Sequence, residues 1–244
     1  MSTEVLYPYP TLIPGVLRRR YKRFFADVEL EDGSLVTAHC ANTGPMTGIS
    51  KVDSPVYLSP QTNPQRKLAY TWELIQVSDQ EPTWVNVNTA LPNRLLGHLL
   101  REHRIPELAG YQAVQPEVVY GQEGSRIDFR LTGGERPIYV EIKNTTWAAG
   151  RRALFPDTVT TRGQKHIREL MTLVPDARAL LLYCISRGDC TQFSPGDQAD
   201  PEYGRLLRQA LDLGVEVLPC RFQFEPTGIT YLGPAELVLS PTVP

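Results

Sequence analysis

Asp128, Glu141 and Lys143 lie in the stretch SRIDFRLTGGERPIYVEIKNTTW, residues 125 to 147, which otherwise reads as two apolar strands joined at Gly133-Gly134. Two acids and an amine in so apolar a hairpin need a chemical reason. Side chains alternate along a strand, so Glu141 and Lys143 share one face while Val140 and Ile142 point to the other. On the first arm Arg126 and Asp128 alternate with Ile127 and Phe129. A four-residue loop, Gly133 to Arg136, sets Asp128 directly across from Glu141, and a two-residue Gly133-Gly134 loop sets it across from Tyr139. Either register leaves Asp128 and Glu141 on one face, as direct or diagonal neighbours.

Facing carboxylates repel, and burial strengthens the repulsion, so a positive charge belongs between them. Hard oxygen ligands of this kind suit Mg²⁺ or Mn²⁺. Lys143 on the same face could then activate a water or neutralise charge developing on a phosphate, the chemistry of metal-assisted phosphodiester hydrolysis. The competing reading is a solvated cross-strand salt-bridge cluster of Asp128, Glu141, Lys143 and Arg126. D…ExK is short, and by itself it does not separate the two.

The surrounding elements supply context. RRRYKRFFADVELEDGSLVTAHC starts with five basic residues in six, Arg18, Arg19, Arg20, Lys22 and Arg23, then continues as two strands about a turn at Glu31 to Ser34. SPVYLSP, YTWELIQV and TWVNVNT continue the strand pattern, which predicts a small β-barrel or sandwich to residue 88. LPNRLLGHLLREHRIPEL then turns helical, with Leu95, Leu96, Leu99 and Leu100 on one face and Pro106 as the stop. That switch divides residues 1–88 from residues 89–244. Three strands, a loop and the helix TTRGQKHIRELMTLV follow, then the continuous apolar strand RALLLYCIS, a helix capped by Asp200, and closing strands.

Helix, three strands, helix, strand is the order of the PD-(D/E)xK nuclease core, and SRIDF…YVEIK resembles its active-site hairpin, with Ile127 in place of the proline of the name. Such cores often place a glutamine on the following helix, which carries Gln164 into the expected catalytic set beside Lys143, with Asp128 and Glu141 as metal ligands. His166 reads instead as polar helix surface, His39 as a structural histidine and Asp157 as a cap or turn residue.

A more specific resemblance covers nearly the whole chain. RYKRFFADV, HCANTGPMTG, YTWELI, VNTALPNRL, YGQEGSRIDF, YVEIKNTT and FPDTVTTRGQKHIREL resemble the sugar fermentation stimulation protein family, SfsA. The resemblance implies an α/β (α+β) architecture in which an OB-like β-barrel precedes a PD-(D/E)xK nuclease-like mixed sheet with flanking helices. It further implies DNA binding and a link to control of sugar catabolism, maltose genes in particular. It leaves two functions open: a metal-dependent nuclease, or a catalytically silent DNA-binding regulator.

Bulk properties narrow the partners. The net charge of −2 over 244 residues provides no global field for nucleic acid, so binding must come from local patches. Arg18 to Phe25 interleave cations with Tyr21, Phe24 and Phe25, a pattern suited to phosphate contact and base stacking, and Arg162 and Lys165 flank the hairpin site in sequence. No P-loop pattern or sugar-site motif is present. The cysteines, Cys40, Cys184, Cys190 and Cys220, form no C-x-x-C pair and read as buried thiols. Without a bilayer-length apolar run or secretion signal, the expectation is a cytoplasmic protein with no membrane partner, whose oligomeric state is open.

Overall fold

Alternating apolar residues in the first third of the chain close a barrel. The computed structural model describes residues 4–63, 65–79, 81–121, 124–174 and 176–240. After a two-residue strand β1 (Tyr7–Pro8) come β2 (Ile13–Tyr21), β3 (Phe25–Leu30), β4 (Leu35–His39), β5 (Pro55–Pro60), β6 (Tyr70–Val77) and β7 (Thr83–Asn86). Strands β2 to β7 form one sheet in the order β4-β3-β2-β5-β6-β7, and a further parallel pairing of β4 with β6 closes β2 to β6 into a five-stranded barrel with β7 added to β6. Closure removes the free edges that an open sheet of this size exposes. Leu17, Ala26, Val28, Ala38, Val56, Leu58 and Trp72 fill the interior. The OB-type barrel expected from the resemblance is therefore present.

The period change at Leu91 is real. Helix α1 (Leu91–Arg101) buries Leu91, Leu95, Leu96, Leu99 and Leu100. It ends five residues before Pro106, capped at Glu102, so the proline is not what stops it. Next come β8 (Ala113–Tyr120), β9 (Ser125–Thr132) and β10 (Ile138–Thr145). The stretch expected to be a loop holds two short strands, β11 (Trp147–Ala149) and β12 (Arg152–Phe155). Elements so short leave no readable period. Then follow α2 (Thr161–Leu173), β13 (Arg178–Ile185), β14 (Gln192–Pro195), α3 (Pro201–Asp212), β15 (Glu216–Glu225), β16 (Gly228–Pro234) and β17 (Glu236–Leu237).

A seven-stranded mixed sheet, β1-β16-β15-β13-β10-β9-β8, organises this second domain, with β10, β13 and β15 parallel at its centre. β13 shows why its run was continuously apolar. Leu180 and Leu182 face α1, while Leu181 and Tyr183 face α2 and α3, so both faces are covered. A smaller sheet, β11-β12-β14-β17, lies alongside. The N-terminal segment crosses the expected boundary, because β1 pairs with β16 and belongs to the second sheet rather than the barrel.

Arg187 fastens the two halves. Its side chain is almost fully buried, its guanidinium meets both oxygens of buried Asp189 at 2.7 Å, and it reaches Asp79 of the barrel at 2.8 Å. The backbone of Arg187 also bridges to Val85, and Asn86 N–H donates to the Ser186 carbonyl. Removing one member of a buried ion pair strands the other. Arg187→Ala is therefore expected to cost about 3–5 kcal/mol, read as a lower urea midpoint in equilibrium unfolding.

Candidate functional site

β9 and β10 pair as Ile138 with Leu131, Tyr139 with Arg130 and Val140 with Phe129, which is the register of the four-residue loop. The pairing runs no further toward Asp128. There the carboxylate takes over the ladder: Asp128 Oδ2 accepts from the Ile142 backbone N–H at 2.7 Å, and Oδ1 accepts from Asn93 Nδ2 on α1 at 2.6 Å. β9 also turns over at this point, since Phe129 packs in the α1 core while Ile127 packs in the α2 core. Simple parity therefore fails at Asp128, whose carboxyl lies between the strands instead of standing on one face.

Glu141 is on the α2 side and is 4% exposed. Its Oε1 accepts from Lys143 Nζ at 2.8 Å and makes a short contact with His166 Nδ1. Arg162 Nε donates toward His166 Nε2 at 3.4 Å, which leaves the Nδ1 proton for Glu141. Oε2 of Glu141 is buried and has no partner among the described residues. Burial pushes the Glu141 carboxyl up, but Lys143 and His166 outweigh it and hold the group below its ordinary value. Asp128 moves the opposite way, to about 6, because burial and then the charge of Glu141 both oppose its ionisation.

Two further groups complete the polar cluster. Glu169, one turn along α2 from His166, is 5% exposed with neither oxygen partnered among the described residues. The Tyr120 hydroxyl is likewise buried and unpartnered, and it is held protonated by burial and by the charges of Glu141, Glu169 and Asp128. Gly121 makes room for Glu169: its φ is +70°, and a Cβ there would come within 2.7 Å of Oε1.

Of the expected residues, Asp128, Glu141 and Lys143 meet in one cluster. Gln164 does not join them by any hydrogen bond; its amide donates to both oxygens of Asp200, the N-cap of α3, at 3.0 and 3.1 Å. His166, expected on the helix surface, is buried against Glu141. His166 and Glu169 are three apart and so share a helix face, the one sequence signal that could have placed them together. Asn93 carried no such signal. Asp157 accepts from the Thr47 backbone, and burial raises its carboxyl. All four cysteines are free and buried, as expected.

The basic strand is partly occupied. A bulge between Leu17 and Arg19 turns both Arg18 and Arg19 outward. Arg18 pairs with Glu29 and Asp53, and Arg19 lies 4.8 Å from the centre of the Tyr21 ring. Arg20 donates to the Asn42 and Gly44 carbonyls, and Arg23 donates to that of Thr43, so both hold the loop after β4. Tyr21 stacks on Phe25, and Lys22 is exposed in the turn. Arg20, Arg23 and this loop line an open groove with Thr158, just before α2, whose first turns carry exposed Arg162 and half-buried Lys165.

A closed barrel joined to a mixed α/β domain defines a two-domain protein whose buried acid–lysine–histidine cluster lies in the second domain. Family models match both halves: the SfsA N-terminal OB domain over residues 19–87 and the sugar fermentation stimulation protein RE domain over residues 90–228. The chain belongs to the sugar fermentation stimulation protein family. A sugar fermentation stimulation protein homolog of Trichormus variabilis is 64% identical over 237 residues, covering 96% of this chain and 98% of its own. One of Synechococcus elongatus is 63% identical over 234 residues, with 96% and 98% covered. The solved structure of Pyrococcus furiosus SfsA in complex with Ca²⁺ superposes with a TM-score of 0.85 at 27% identity, covering 97% of this chain and all of that one.

The Asp128 shift predicts a pH signature. The folded value, about 6, exceeds the unfolded value of about 3.9, so the folded state holds the extra proton. Its contribution to stability is fully present below the unfolded value and is lost as pH rises through about 6. In chelator, wild type should lose stability relative to Asp128→Asn between those two values; parallel curves in urea melts would contradict the assignment.

Proposed function

We propose that this chain is a metal-dependent nucleic-acid phosphodiesterase, with DNA as its substrate. The observation that carries the reading is Glu141 Oε2: a buried carboxylate oxygen with no partner among the described residues, beside Asp128, whose oxygens each accept one hydrogen bond and keep a lone pair. Leaving such an oxygen unsatisfied is costly, and a cation answers it. Among the described residues no three His, Cys, Asp or Glu side chains converge as a metal cage. Two carboxylates with the other positions left to water is the habit of Mg²⁺ and Mn²⁺, so the donor set fits. A solved relative in this family is described in complex with Ca²⁺, an ion of the same oxygen preference.

Asp128 and Glu141 would hold the ion, which when bound polarises a phosphoryl oxygen and makes a water more acidic. The chain's own residues do the rest. Lys143, an ion-pair partner of Glu141 at 2.8 Å, sets a positive charge where negative charge develops on the phosphate, and can donate a proton to the leaving oxygen. His166 fixes the Glu141 carboxylate so that Oε1 stays committed and Oε2 stays available. Asn93 and the Ile142 amide do the same for Asp128. Gln164 acts at one remove, through Asp200 and the seating of α2 on α3.

DNA would run from the barrel groove toward α2. Arg20 and Arg23 order the groove's loop, while Arg19, Lys22, Arg162 and Lys165 contact phosphates beside the Tyr21 ring. A second reading, a regulator that binds DNA without cutting it, is favoured by the closed Lys143–Glu141 pair, which ties up the amine in this conformation.

Cleavage of duplex DNA, single-stranded DNA and RNA in Mg²⁺, Mn²⁺ or EDTA decides between them. Metal-dependent cleavage that falls by on the order of a thousandfold in Glu141→Gln is expected; retained cleavage in that variant removes the nuclease reading, and salt-sensitive binding without cleavage in wild type selects the regulator. Arg19→Ala/Lys22→Ala should weaken DNA binding and lower the slope of log affinity against log salt by about one per lost phosphate contact. An unchanged slope would take these side chains out of the interface.

A further inference from the structure

Away from the acid–lysine cluster, a cavity of about 360 Å³ opens where the barrel meets α1 and the N-terminal segment. Its volume lies in the range of small-molecule sites, and its walls come from both domains. Glu73 of β6 forms the floor, 6% exposed, with one donor on each oxygen: Ser59 Oγ at 2.7 Å and Asn88 Nδ2 at 2.8 Å. Each oxygen keeps a lone pair for a further donor.

Beside Glu73 lie two hydroxyls that no described residue uses. Thr71 is 4% exposed, and neither its Oγ1 nor the buried Tyr9 hydroxyl has a partner among the described residues. Buried polar groups in folded proteins are normally satisfied, and two that line one cavity mark a place where a bound molecule supplies the missing bonds. Burial, then the charge of Glu73, keeps the Tyr9 hydroxyl protonated and able to donate.

The rim has the opposite character. Arg66 and Arg94 are exposed at the mouth on two different elements, with His39 half-buried next to them. Arg66 is steadied by Gln61 at 2.9 Å. Two guanidinium groups match a dianion better than a single carboxylate, while the floor asks for hydroxyl groups that can both donate and accept.

We propose that this cavity binds a hydroxylated phosphomonoester, with its hydroxyls on Glu73, Thr71 and Tyr9 and its phosphate at Arg66 and Arg94. The ligand is either a free sugar or polyol phosphate or the 5′-phosphorylated end of an RNA strand, whose terminal ribose keeps its 2′-hydroxyl. Arg94 directly follows Asn93, the residue that holds Asp128, so an occupied cavity adjoins the carboxylate cluster through the first turn of α1. The site nevertheless uses none of the cluster's residues and stands whether or not the chain cleaves DNA.

Isothermal titration calorimetry on the full chain tests it with ribose 5-phosphate, inorganic phosphate, ribose, and a diuridylate with and without a 5′-phosphate. One-to-one binding of ribose 5-phosphate, weaker binding of phosphate and none of ribose are expected. Arg94→Ala should weaken binding by on the order of tenfold, the loss of one charge-assisted hydrogen bond. Thr71→Val and Tyr9→Phe should weaken it severalfold without lowering Tm, because those hydroxyls have no partner among the described residues. Glu141→Gln should bind as wild type does, which separates this site from the proposed nuclease centre. Tighter binding of the 5′-phosphorylated diuridylate than of ribose 5-phosphate names a strand end as the ligand; the reverse order names a free sugar phosphate. No heat with any probe, or equal affinity in Arg94→Ala, Thr71→Val and Tyr9→Phe, overturns the proposal.

Discussion

A carboxylate 4% exposed must find positive charge or give up its own, and Glu141 keeps it. Everything around the central strands answers that requirement. Lys143 comes from the same face of β10, His166 from α2, and α2 is held in place by Ile167 and Leu170 packing on the sheet. Both donors act on one oxygen, so the second has no partner among the described residues. Burial, and then the same charge across the hairpin, keeps the proton of Asp128 to about pH 6. One buried anion thus adds to the shift of its neighbour and helps to seat a helix.

The hairpin accommodates this by breaking its own ladder. Had β9 and β10 stayed paired, the Ile142 amide would have gone to a backbone carbonyl and Asp128 would have stood on a face. Instead the side chain takes the amide, and Asn93 reaches down from α1 to take the other oxygen. α1 and α2 lie on opposite faces of the sheet, and Asp128 bonds to the one while Glu141 bonds to the other. The cluster therefore sits in the plane of the sheet, where small shifts of either helix change its geometry.

Domain joining follows a similar rule. Arg187 satisfies Asp189 within its own domain and extends its remaining donor to Asp79 of the barrel. Strand β1 works in the other direction, carrying the N-terminus back to the edge of the second sheet. Barrel and sheet are therefore coupled at two places, and the groove and the cavity between them have walls from both.

Much was legible in the sequence, for local reasons. Period-2 and period-3.6 patterns identify the barrel strands, α1, α2 and the doubly covered β13, and Asp200 with Pro201 identifies the start of α3, because each signal is carried by residues close in the chain. Alternation along β10 put Glu141 and Lys143 on one face, and turn length offered the register that the fold adopts. What the sequence by itself could not determine depends on distant pieces meeting. His166 was read as surface because its partner lies 25 residues away. Asn93 and Glu169 carried no motif, and Gln164 turned out to serve Asp200 on another helix. β1 was not read as a strand, since two residues have no period. Only tertiary structure decides which buried charges face one another, because that choice is made by the packing of helices on a sheet and not by any spacing along the chain.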